Sequence, residues 1–118
     1  MIEGSQIDWG GYNNDSDYLI GEVLDFDRAI GQVLDFAALN PNTLVVVTAD
    51  HETGGFTLGS GKDEYGKSDY NAISPSFSTK GHSATLIPVF AFGPCAALFT
   101  GIYENTEIYH KMMGLLKE

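Results

Sequence analysis

Cysteine is nearly absent. Of 118 residues only Cys95 carries a thiol, which excludes an intrachain disulfide and any zinc cluster built from several thiolates. Positive charge is also scarce: six lysines and arginines stand against sixteen aspartates and glutamates, a formal net charge of -10. Such a chain repels nucleic acid and anionic membranes unless bound cations reverse the local field, so an anionic partner requires metal. No apolar run reaches the roughly 18 residues of a transmembrane helix, and no basic region followed by an apolar one opens the chain. The expectation is therefore no membrane span and no signal peptide, in a chain that is either cytosolic or a piece of something longer. Apolar and aromatic side chains are plentiful, at 43% and 12%. That is enough for one domain over residues 1–118 with a real core.

Periodicity supplies the elements. Residues 1–8 read as the end of a strand, with Ile2 and Ile7 flanking polar positions and Gly10-Gly11 breaking it. From about Asp15 to Leu39, Leu19, Val23, Phe26, Ile30, Val33, Leu34 and Ala37 step by three and four, which predicts a helix. Asn13, Asn14, Asp15 and Ser16 offer oxygens to cap it, and Asn40-Pro41 ends it. The β-branched run Thr43 to Ala49 predicts a buried parallel strand, Ile87 to Phe92 another strand, and Glu104 to Leu116 a closing helix. The Gly, Ser, Asp and Lys-rich stretch from Gly54 to Lys80, including residues 56–80, has no assignable structure beyond a functional loop or small excursion. The fold class expected is α/β, with parallel strands joined by crossover helices and strand edges left for something else to cover.

In such sheets ligands collect beyond the carboxyl ends of the strands. Asp8 follows the first predicted strand, Asp50-His51 follows the second, and His82 immediately precedes the third. Carboxylate oxygen and imidazole nitrogen are the donors zinc accepts where thiolates are lacking. Both Asp50 and His51 can face one ion only if the chain turns there, and the following Glu52-Thr53-Gly54-Gly55 suggests such a turn. Taken singly, each residue has an ordinary reading as well: Glu3 as a solvated strand end, Asp8 and Asp50 as turn residues, His51 and His82 as polar side chains at strand ends. Their conjunction is more informative.

With "IEGSQIDWGG", "NTLVVVTADHETGG" and "GHSATLIPVFAFGP" in that order, essentially the whole chain resembles the C-terminal part of bacterial alkaline phosphatases. The resemblance implies a partial three-layer α/β sheet with two zinc ions and one magnesium, in an enzyme that hydrolyses phosphate monoesters through a phosphoserine. It makes Glu3 the magnesium ligand, Asp8 and His82 ligands of one zinc, and Asp50 and His51 ligands of the second. Paired zincs roughly 3.5–4 Å apart can clamp the attacking and leaving oxygens of an in-line displacement. Two departures accompany the match. The family has histidine four residues after the first zinc aspartate, whereas Tyr12 stands there, and a phenol of pKa near ~10 is a poor zinc ligand. The family's nucleophilic serine, its accompanying aspartate and phosphate-clamping arginine have no counterpart here, since Arg28 is the only arginine and neither Ser5 nor Ser83 has the nucleophile's context. The chain is thus expected to hold no catalytic nucleophile and to be inert alone, with phosphate monoester or inorganic phosphate as ligand and a homo-oligomer or a missing N-terminal half as partner. A periplasmic or extracellular location follows from the same resemblance. The alternative, from a different class, is a non-catalytic metal-binding or assembly module.

Overall fold

The helix predicted from three-and-four spacing forms as α2, Ser16–Leu39. Asp15 caps it, its Oδ1 accepting the Tyr18 amide at 3.0 Å, and at the far end Asn40 Nδ2 donates to the Phe36 carbonyl at 2.7 Å. The structure, a computed structural model, describes residues 1–116. Around α2 the described elements are α1 (Ser5–Asn13), β1 (Val45–Val47), β2 (Thr57–Lys62), β3 (Ser68–Ser76), β4 (Phe90–Phe92), a 3-10 turn (Ala96–Phe99) and α3 (Thr106–Leu115).

Three expectations are corrected. The opening segment is a helix rather than the end of a strand, because Gly10 and Gly11 permit close packing rather than marking a turn. A Cβ on Gly10 would lie 2.9 Å from the Leu19 backbone, and one on Gly11 would overlap the Thr53 side chain. The chain leaves α1 only at Asn14, in the left-handed region at φ 54, where its amide donates to the Gly11 carbonyl at 3.0 Å.

The parallel sheet with crossover helices is also overturned. The described strands form two separate antiparallel pairs: β1 with β4, registering Val45 opposite Phe92 and Val47 opposite Phe90, and β2 with β3. With its first strand replaced by a helix, the expected crossover loses one of its two ends, and the strand at Val45–Val47 pairs with the later, antiparallel one. The apolar content, third, does not translate into a large core. Among the described hydrophobic residues only Leu19, Ala37, Val45 and Phe99 are buried, while Phe36 is 59% and Phe90 64% exposed.

By contacts the chain falls into two units, one of Met1–Asp27 with His51–Leu86, the other of Arg28–Asp50 with the segment from Ile87. In the first, the stretch without assignable periodicity becomes the β2–β3 hairpin, whose residues are mostly exposed on both faces and so leave no alternating pattern. Its base is closed by Phe56 and Phe77, ring centroids 4.9 Å apart, and by the Ser78 and Thr79 amides donating to the Gly54 carbonyl at 3.0 and 3.1 Å. Gly54 sits at φ 72, so the predicted turn after Asp50-His51 does form. In the second unit, Phe99 anchors the C-terminal elements. Its carbonyl accepts the Tyr103 hydroxyl at 2.9 Å, and Lys111 reaches the Leu98 carbonyl at 2.8 Å while lying over the Tyr103 ring.

Candidate metal centre

Three chain segments of the first unit deliver one donor each. The α1 helix carries Asp8, and the turn between the second predicted strand and the hairpin carries His51. The return from β3 carries His82. One ligand atom from each lies within 4.8 Å of the other two. A tetrahedral zinc at about 2.0–2.2 Å holds its ligands roughly 3.5 Å apart, so the spread is slightly wide for one ion and of the right order.

Asp8 shows why a cation fits. Its side chain is 45% exposed as a whole, yet Oδ1 is buried and accepts no hydrogen bond. His82 Nδ1 is 4.0 Å away, beyond hydrogen-bond range. A covered carboxylate oxygen without a partner is costly, and a bound cation removes the cost. One carboxylate with two neutral imidazoles leaves a divalent ion with net positive charge, which reverses the acidic field locally and favours an anionic ligand.

The imidazoles are oriented by a residue that pattern reading passes over. His51 Nδ1 and His82 Nδ1 both lie 2.9 Å from the Glu52 carbonyl oxygen, and the two rings sit 3.7 Å apart by centroid, tilted 38°. The Glu52 carboxylate accepts the Gly55 amide through Oε1 and the Ser83 amide through Oε2, the latter at 2.6 Å. Hydrogen bonding to the Ser83 side chain, then to the Ser83, Gly55 and Phe56 amides, outweighs burial and lowers the Glu52 pKa from its ordinary value. Thr53 ties the same turn to α1, its hydroxyl donating to the Asp8 carbonyl at 3.3 Å. In the sequence Glu52 and Thr53 register only as part of a turn. The available signal is a carboxylate placed between a histidine and a glycine pair.

The other predicted site residues lie elsewhere. Glu3 is exposed before α1 and does not join the Asp8–His51–His82 group among the described residues, and Asp50, exposed at the end of the segment following β1, belongs to the second unit. Tyr12 follows Asp8 by one helical turn in α1 and is 65% exposed. The group therefore draws on residues that the resemblance divides between two zinc ions.

Comparison with known proteins places this geometry in context. The profile of the family described as alkaline phosphatase matches residues 1–76. Alkaline phosphatase 3 of Bacillus subtilis (strain 168) is 31% identical over a gapped alignment 182 positions long, which covers 99% of this chain and 39% of that protein. The solved alkaline phosphatase of the Antarctic bacterium TAB5 superposes with a TM-score of 0.90 at 63% identity, over 98% of this chain and 34% of the solved one. A variant of that enzyme, with Mg bound in its M3 site, gives a TM-score of 0.89 at 61% identity over the same shares. The chain thus spans between a third and two fifths of the length of these relatives.

Proposed function

The chain belongs to the alkaline phosphatase family, and from that membership we propose that it is the C-terminal, metal-holding part of a phosphomonoester hydrolase. The observation carrying the proposal is the buried, unpartnered Asp8 Oδ1 grouped with His51 and His82. Asp8 contributes the negative charge that attracts a divalent ion, and each imidazole contributes a neutral nitrogen. Zinc or magnesium, when bound, supplies Lewis acidity toward phosphate oxygens. On the family's motif order, Glu3 is assigned to magnesium and Asp50 shares the second zinc with His51. Tyr12 occupies a histidine position and weakens the zinc site of Asp8 and His82. The nucleophile and the phosphate-clamping arginine come from outside these 118 residues, and an exported location follows from the family.

Zinc titration by calorimetry tests the assignment. The wild-type chain takes up zinc, and Asp8→Ala, His51→Ala and His82→Ala each weaken uptake by about 10-fold or more, the scale of losing a metal-site contact. No uptake by the wild-type chain, or uptake indifferent to all three changes, refutes the centre. Aryl phosphate with added zinc and magnesium should not be turned over by the chain alone. Robust turnover would overturn the assignment of the nucleophile to other residues.

A second reading is favoured by the exposed apolar side chains, Phe36 and Phe90 among them. On this reading the chain is an assembly module whose apolar faces are covered by the remainder of the enzyme or by a second copy.

A further inference from the structure

We infer that Glu52 is the positioning residue of the centre: its main-chain oxygen sets the tautomer and aim of both imidazoles, and its carboxylate holds that oxygen in place. The inference rests on Asp8, His51 and His82 being metal ligands, and deepens that reading.

A carbonyl oxygen can only accept. Since the Glu52 carbonyl lies 2.9 Å from Nδ1 of both His51 and His82, both Nδ1 atoms carry the proton. In a neutral imidazole the lone pair is then at Nε2, so both rings present the same atom, in the same protonation state, for coordination. One oxygen with two lone pairs thereby fixes two ligands that enter from different segments. An outer partner of this kind raises the basicity of a ligating imidazole and removes its freedom to turn over.

The oxygen is useful only if its peptide stays put, and the side chain of the same residue provides this. Oε1 accepts the Gly55 amide and Oε2 accepts the Ser83 amide at 2.6 Å. The first bond closes the turn that carries His51. The second joins that turn to the residue after His82, across a separation of 31 residues. Both carboxylate oxygens face N–H donors, so an amide in their place sets one donor against another. Glutamine is nearly isosteric with glutamate and fails by chemistry rather than size.

Nitrogen-15 NMR of the imidazoles in the metal-free full chain, followed by zinc titration of wild type and Glu52→Gln, tests the inference. Wild type should show protonated Nδ1 and bare Nε2 on both rings. Glu52→Gln should show averaged tautomers on at least one ring, with zinc affinity lower by about 10- to 100-fold. If either wild-type ring carries its proton at Nε2, the inference is overturned, and no variant is needed to learn this. It is equally overturned if Glu52→Gln loses stability while both rings keep the wild-type signature and zinc affinity is unchanged, the outcome of a merely structural role. A wild-type chain that takes up no zinc refutes the metal centre and the inference with it, whereas zinc uptake with either ring protonated at Nε2 overturns the positioning role alone, so the two failures are distinguishable.

Discussion

Asp8, His51 and His82 stand out in the sequence because each bears its chemistry in its side chain and falls in a quoted motif, although Asp8 lies within a helix and not at the strand end expected for it. Glu52 does not, because half of its role is played by a main-chain oxygen, which every residue possesses and no pattern marks. Tyr12 lies between these cases. Positions four apart on a helix share a face, so Tyr12 stands on the Asp8 side of α1, and what it lacks is a nitrogen donor. The expected outcome of Tyr12→His is zinc affinity raised by about 10-fold in calorimetry, the gain of one imidazole contact. Unchanged affinity would mean that this position is not directed at the ion.

Among the elements, α2 is readable because its apolar residues keep the helical period over 24 residues. The helix α1 is easily misread because two glycines in nine residues look like a break, when they answer to neighbours distant in sequence. The same residue type therefore has opposite substitution effects in the two helices. A Cβ at Gly21 or Gly31 of α2 would meet nothing within 4 Å among the described residues. Alanine at either should raise stability by up to about 1 kcal/mol through helix propensity. Gly10→Ala gains the same propensity but drives a methyl against the Leu19 backbone, where overpacking costs about 1–3 kcal/mol. Chemical denaturation of the three variants should show two stabilised chains and one destabilised. Destabilisation by Gly21→Ala, or stabilisation by Gly10→Ala, would contradict the packing described for these helices. The β2–β3 hairpin is unreadable for another reason: strands exposed on both faces have no inside to alternate with.

For the molecule as a whole, composition promises a core that the described structure does not contain, because composition counts apolar residues without saying what covers them. Two terms then compete in solution. A net charge of -10 keeps copies apart, and exposed residues such as Trp9, Phe36, Leu39 and Phe90 draw them together. Salt screens the first term more than the second, so light scattering should find association increasing with ionic strength. A chain that remains monomeric at high salt would argue against its apolar faces as assembly surfaces. The hairpin, finally, has a kinetic consequence. Glu52 and Ser83 must meet across 31 residues, but once β2 and β3 have paired and Phe56 lies against Phe77, the open loop left to close shrinks to roughly ten. The entropy of that closure falls by about 1 kcal/mol, and it does so through contacts local in sequence, which form early. Strand pairing acts as a zipper for this closure, with the hairpin first and the two histidines brought together next.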